Sequence, residues 1–235
     1  MIKTSLEIIS DVVKNQTSAD YLTTKKFLHA IVYNPNKVYP SDKHPVVYII
    51  SGGISAGKST LSYNFLKHFQ KVDLPFLGND TIHEVYFENQ GEIFDFNYNK
   101  ARDFTDNAIA LLIKNHSSFI WETVFSKDKK IDALKSLKDN NYKIVVLHVG
   151  TELETALRRN KIREQLDGNI VENDFIKDRY EKVIRYFPTV MSFADETYIF
   201  SNEERLELLL AKNDKENYRT QNMPTWATRL IDYEA

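Results

Sequence analysis

Apolar positions along this chain alternate between two rhythms. Short, nearly continuous apolar runs such as Val46-Val47-Tyr48-Ile49-Ile50, Phe119-Ile120-Trp121 and Ile144-Val145-Val146-Leu147 read as buried strands. Between them apolar residues recur three and four apart, as in Phe104, Ala108, Leu111 and Leu112, which is the spacing of one helix face. The pattern predicts strands over 46–51, a short stretch ending at Pro75 to Asp80, 118–122, 143–149 and 196–200. It predicts helices from Lys58 to about Gln70, over Arg102 to Lys114, around Ile131 to Leu137, after the capping box Thr151-x-x-Glu154, and from about Asn173 to Tyr186. Two further short helices, around Leu6 to Val13 and Tyr21 to Tyr33, are followed by a connector punctuated by Pro35, Pro40 and Pro45. This order predicts an α/β fold with a parallel five-stranded sheet between helix layers.

The expected organisation is a helical N-terminal extension over 1–45, a core over 46–202, and a peripheral, polar C-terminal tail over 203–235. A length of 235 residues suits one α/β domain with additions. Basic and acidic residues number 31 and 33, so no global field draws the molecule to nucleic acid or an anionic membrane. Cysteine is absent, which removes disulfides, thiolate metal sites and cysteine nucleophiles. Charge interrupts the first residues before an apolar signal core forms, and no stretch approaches transmembrane length. The expectation is a cytoplasmic enzyme.

The chemistry concentrates after the first strand of the core. Gly52-Gly53-Ile54-Ser55-Ala56-Gly57-Lys58-Ser59 fits Gly-x-x-x-x-Gly-Lys-Ser/Thr, with Thr60 following and a helix opening at Lys58. In this pattern backbone N–H groups wrap nucleotide phosphates, the lysine reaches the β and γ oxygens, and the serine hydroxyl is offered to Mg²⁺. The same segment contains Gly53-x-Ser55-x-Gly57, the form of a hydrolase nucleophile elbow. That alternative has no use for Lys58-Ser59 and lacks the earlier strand its oxyanion loop requires. A GTPase switch is disfavoured too, because no Asp-x-x-Gly or Asn/Thr-Lys-x-Asp follows at useful positions.

Phosphoryl transfer further needs a group to orient the attacking hydroxyl and cations for the migrating phosphoryl. Asp80 ends the second strand and Glu122 the third, and in an open parallel sheet such ends face the ligand crevice. Asp80 reads equally as a base, a holder of a Mg²⁺-bound water, or a helix N-cap. Asp106 lies off the apolar face of its helix, where a solvated role also fits. Arg159 and Arg163 share a helical face and converge on a polar segment over 158–171 that reads as a lid. Arg179 is a third cation, with ion pairs to Glu164, Asp174 or Asp178 as its rival reading. The six histidines show no metal-ligand spacing.

Taken together, Gly52 to Ser59, Asn79-Asp80, the strand ending Glu122-Thr123, and Arg159-x-x-x-Arg163-x-x-x-x-Gly168-x-x-Val171 leading to Ile176-x-x-Arg179-Tyr180 resemble the zeta-toxin family of P-loop kinases. The resemblance spans roughly Val46 to Asn202. It implies the three-layer P-loop NTPase sandwich and a kinase using ATP and Mg²⁺, whose acceptor in characterised zeta toxins is the 3'-hydroxyl of UDP-N-acetylglucosamine. It implies that Lys58 and Ser59 hold ATP·Mg²⁺, that Asp80 is the general base, and that Arg159 and Arg163 are lid cations. Thr105-Asp106 falls where the family has a Thr-Glu pair serving the nucleotide sugar, and a small helical antitoxin is implied as partner. The chain departs from the family pattern at His83 and Tyr86-Phe87, at Glu122-Thr123-Val124, and at Asp167-Gly168-Asn169, all on the acceptor side or the lid. Two alternatives to a nucleotide-sugar kinase follow: a kinase for another acceptor, such as a nucleic-acid 5'-hydroxyl or a metabolite, and a non-catalytic nucleotide-binding module.

Overall fold

A computed structural model describes residues 5–17, 19–67, 74–88, 94–167, 171–215 and 217–233. In chain order its elements are α1 (Ser5–Lys14), α2 (Tyr21–Ile31), β1 (Val46–Ser51), α3 (Lys58–Lys67), β2 (Phe76–Gly78), α4 (Asn79–Tyr86), α5 (Phe94–Lys114) and β3 (Phe119–Thr123). There follow α6 (Asp128–Asp139), β4 (Lys143–Gly150), α7 (Leu153–Asp167), α8 (Asn173–Phe193), β5 (Glu196–Asn202), β6 (Leu206–Lys212), β7 (Asn217–Arg219) and α9 (Thr225–Ile231). The expected end of α3 near Gln70, and Gly168 to Ile170 of the expected lid, lie outside the described residues.

The strands form one mixed sheet of order β2-β3-β1-β4-β5-β6-β7. This corrects the expected five parallel strands to seven. The pairs β2–β3 and β4–β5 are parallel, but β6 runs antiparallel to β5, with a register shift between Ile199 and Phe200, and β7 is antiparallel to β6. The added strands have a physical reason. Leu206-Glu-Leu-Leu-Leu-Ala-Lys212 is built from good helix formers, and pairing with β5 overrides that propensity.

The chain divides into two compact units. The first comprises Met1–Ile49, Ser59–Thr123 and Asn140–Lys143. Its core is Val47, Ile49, Leu61, Phe65, Phe76, Leu77, Ile82, Leu112, Phe119, Ile120 and Trp121, all buried. α2 is opened by Asp20, whose carboxylate accepts the Thr23 N–H, and Val32 just beyond the helix forms a parallel bridge to Phe76 of β2. The buried Tyr142 hydroxyl lies 2.9 Å from the carbonyls of both Leu112 and Ser117, and burial raises its pKa.

The second unit comprises Ile50–Lys58, Val124–Asp139 and Ile144–Ala235. Apolar residues of β4 and β5 are buried here, as are Ile176, Val183, Ile184, Phe187 and Val190 of α8. α8 runs to Phe193 and passes through Pro188, beyond the expected boundary near Tyr186. Phe187 and Val190 are both fully buried, so tertiary packing carries the helix across a residue that removes one backbone donor. Trp226, Ala227 and Leu230 bury the inner face of α9, and the Trp226 ring lies so close to Gly150 that a Cβ there would overlap it.

Candidate active site

The second unit holds Ile50 and Ser51 at the end of β1, the loop 52–57, and Lys58, where α3 opens. Two glycines are demanded by geometry. A Cβ on Gly52 would overlap the Val149 carbonyl oxygen, and Gly57 has φ +101° with Asn202 packed against its Cα. The intervening Gly53, Ile54, Ser55 and Ala56 curl into a turn, with Ser55 at φ 59° and a long Ala56 N–H to Gly53 carbonyl contact of 3.5 Å. Lys58 Nζ donates to the Gly53 carbonyl at 2.9 Å, which folds the lysine back over the loop. Asn202, at the end of β5, donates through Nδ2 to the Ala56 carbonyl at 3.1 Å. Ser59 and Thr60 follow by chain in the first turn of α3, and both are exposed.

Beneath the loop, Ser51 Oγ and His148 Nδ1 are 2.9 Å apart, both buried. Burial, and secondarily the Lys58 charge, push the His148 pKa down to about 3, so the imidazole is neutral. A cavity of about 20 Å³ behind the loop is bounded by Gly53, Ile54, Ala56, Thr151, Tyr180 and Trp226. That is room for about one water and too little for a nucleobase. The Ser55 hydroxyl and Arg159 Nη1 are buried with no hydrogen-bond partner among the described residues. An unpaired Ser55 hydroxyl in a loop that leaves no room for a side chain at Gly52 or Gly57 suits a phosphate-bearing ligand.

The lid residues belong to the same unit. Arg159 Nη2 donates to the Glu203 carbonyl at 2.8 Å, and burial lowers the Arg159 pKa, with Glu203 opposing. Glu203 also holds the start of α7, because its carboxylate accepts the Thr151 hydroxyl and the Glu152 N–H, each at 2.5 Å. Burial alone raises the Glu203 pKa, but the hydrogen bonds from Thr151, Glu152 and Thr155 and the charge of Arg159 outweigh it, and the net shift is downward. Thr151 thus spends its hydroxyl proton on Glu203, and α7 opens at Leu153. Arg163 lies one turn beyond Arg159 and is half-buried. Arg179 donates to Ser126 Oγ at 3.1 Å, stacks over Phe175 at 4.6 Å, and stands 3.8 Å from Asp178. The last contact matches one of the ion pairs weighed from the sequence.

In the first unit, α4 begins at Asn79 with Gly78 in the N-cap position. Asp80 therefore sits inside the first turn, beside the positive end of the helix dipole, and is not the cap. It is exposed, and its Oδ1 accepts the Tyr98 hydroxyl at 2.6 Å. Glu122 is buried in β3 and accepts the Ser62 hydroxyl of α3 at 2.6 Å. A carboxylate at that depth needs such donors, since an unpaired buried charge costs several kcal/mol, ~3 or more. Asp106 is half-buried on α5, and the adjacent Thr105 hydroxyl is committed to the Ala101 carbonyl at 2.8 Å.

Comparison with known proteins identifies the lineage. The family model described as Zeta toxin matches residues 31–214. The chain belongs to the zeta toxin family. No curated protein matches the sequence. Among solved structures, this zeta-toxin-family chain is similar to one from the PezAT chromosomal toxin–antitoxin system of Streptococcus pneumoniae. The match has TM-score 0.60 at 15% identity and covers 100% of this chain and 91% of that one. It is also similar to the AvrRxo1-ORF1:AvrRxo1-ORF2 complex with ATP, at TM-score 0.59 and 12% identity, over 91% and 68% of the two chains. A chain of the Pnkp1/Rnl/Hen1 RNA repair complex matches at TM-score 0.50 and 16% identity, over 81% and 55%. At these identities the structural matches establish the fold, and the family model establishes the lineage. The chain is a zeta-toxin-like P-loop kinase, a phosphotransferase that acts on hydroxyl groups.

Tyr98, Asn202, Glu203 and Ser62 were not singled out from the sequence. Asn202 was within reach, because it closes β5 by the same strand-end logic that picked out Asp80 and Glu122. Tyr98, inside a 21-residue helix, carries no such signal. Among the described residues no helix is long and apolar enough to cross a membrane, and no cluster of three potential metal-ligating side chains occurs.

Proposed function

We propose that this protein is an ATP- and Mg²⁺-dependent kinase that transfers the γ-phosphoryl group to a hydroxyl of a nucleotide sugar, with the 3'-hydroxyl of UDP-N-acetylglucosamine as its acceptor. The observation that carries the reading is the loop 52–58. There a Cβ at Gly52 would overlap the Val149 carbonyl, Gly57 takes a φ closed to other residues, and the buried Ser55 hydroxyl waits for a partner. Such a cradle fits nucleotide phosphates, and a neighbouring fold crystallised with ATP supports the same ligand.

Each residue has a role in this scheme. Loop N–H groups at 52–57 and the Lys58 ammonium would hold the β and γ phosphates, and the Ser59 hydroxyl, with Thr60 beside it, would hold Mg²⁺. A bound Mg²⁺ would neutralise phosphate charge. Asp80 receives the proton of the acceptor hydroxyl as its oxygen bonds to phosphorus and the bond to the β-phosphate oxygen breaks, releasing ADP. Arg159 and Arg163 stabilise charge on the migrating group. Asp106, Glu122 and Arg179 are assigned to the acceptor side, and Asp80 also binds the acceptor hydroxyl it deprotonates. Likeness to a chain of the PezAT toxin–antitoxin system supports a small helical antitoxin as protein partner.

The test is mass spectrometry of a metabolite extract incubated with the protein, ATP and Mg²⁺, with UDP-N-acetylglucosamine added in a parallel reaction. One nucleotide sugar gaining a phosphate is the expected result. A different phosphorylated species would reassign the acceptor, and none would remove the kinase proposal.

A further inference from the structure

Asp80 is exposed, and one of its two carboxylate oxygens is already engaged. Tyr98 reaches from α5 to place its hydroxyl 2.6 Å from Asp80 Oδ1. A carboxylate only accepts, so the phenol is the donor, and the distance lies in the range of charge-assisted O–H···O⁻ bonds. No hydrogen bond to Oδ2 is made among the described residues. The Tyr98 ring is itself fixed from two sides. The Arg102 guanidinium, one turn further along α5, lies 4.7 Å from the ring centroid and is held by Asn99 Oδ1 at 2.9 Å. The His83 ring, on α4 one turn beyond Asp80, lies 5.7 Å away, tilted by 48°.

We propose that Tyr98 is a positioning residue for phosphoryl transfer: it occupies Oδ1 of Asp80 and fixes the carboxylate plane so that Oδ2 is presented to the acceptor hydroxyl. Tyr98 gives up no proton in the reaction and stays a donor throughout. The proton that leaves the acceptor goes to Oδ2. A carboxylate in the first turn of a short helix, exposed to water, otherwise rotates about its side-chain torsions, and only part of its orientations place an oxygen for proton transfer. Arg102 and His83 restrain the phenol, and the phenol restrains the base. The proposal rests on Asp80 being that base.

The test uses the full chain with ATP, Mg²⁺ and a metabolite extract as acceptor pool, comparing wild type, Tyr98→Phe, Asp80→Asn and the double variant. Tyr98→Phe keeps the ring against Arg102 and His83 and removes only the hydroxyl. Expected are a fall in kcat of about tenfold to a hundredfold, an ATP KM within about twofold of wild type, and an unchanged melting temperature. Asp80→Asn is inactive, and the double variant is no worse than Asp80→Asn, because a positioning residue has nothing left to position. If Asp80→Asn is inactive while Tyr98→Phe retains wild-type kcat, the positioning role is overturned and the base stands. A fully active Asp80→Asn overturns the base assignment and the role of Tyr98 with it. No phosphorylation by the wild type overturns both and the kinase reading above.

Discussion

Asn202 donates its side-chain amide to the carbonyl of Ala56 across 3.1 Å, tying the end of β5 to the phosphate-binding loop one residue before Gly57. The bond fixes the Ala56–Gly57 peptide so that the Gly57 N–H turns away from Asn202. Asn202→Ala should therefore raise the KM for ATP by about fivefold, the worth of one neutral hydrogen bond. Asn202→Asp should do more damage, because a carboxylate cannot donate to the Ala56 carbonyl and brings negative charge to a phosphate site. ATP titrations followed by the ligand-induced rise in melting temperature check both.

Lys58 is the sole side-chain cation inside the loop motif, and it leans on the Gly53 carbonyl at 2.9 Å. Replacing it with Ala should lower kcat by about 10²-fold or more, on the scale of losing one preorganised charge-stabilising group. Steady-state ADP formation measures this, and a Lys58→Ala variant with wild-type turnover would remove the lysine from the mechanism.

Gly150→Ala tests the seat of α9. The added methyl would overlap the six-membered ring of Trp226, so strand or helix must shift. Overpacking of this kind costs about 1–3 kcal/mol, which urea denaturation resolves.

His148 predicts a pH effect on stability. Its ordinary pKa of 6.5 is lowered in the folded protein to about 3. Between those values the unfolded chain binds a proton that the folded chain refuses, so stability falls as the pH drops below about 6.5 and levels off near 3. Between pH 7 and 5.5 the loss from this one group is about 1 kcal/mol. His148→Gln, whose amide can still pair with Ser51, should abolish that share of the slope in denaturation curves at the two pH values.

The parts of the fold that the sequence disclosed are those where burial alone decides. β1 runs Val46–Ser51 as expected, and β3 and β4 each fall within a residue of expectation, because a strand buried on both faces is a continuous apolar run. β6 and β7 escaped because a partner strand makes them. α4 was open only as the alternative in which Asp80 caps a helix, and it starts two residues earlier than that reading, directly at the end of β2. The phosphate-binding loop was legible in full, since only a few residue types fit its backbone. Glu122 lies in β3 as its strand-end pattern predicts, but β2 stops at Gly78, so Asp80 is neither the strand end nor the helix cap and falls in the first turn of α4. The hydroxyl of Tyr98 and the double grip of Glu203 on α7 were not legible, because each joins residues distant in sequence through a side chain that no local pattern marks.

The chain has two tryptophans, and each is buried in a different unit: Trp121 in β3, Trp226 in α9. Each unit thus carries its own intrinsic fluorophore. Trp121→Phe leaves an emission signal that follows only the unit containing the phosphate-binding loop, and Trp226→Phe leaves one that follows only the unit containing Asp80. Two single-tryptophan proteins can then report whether the halves of this enzyme melt together or one after the other.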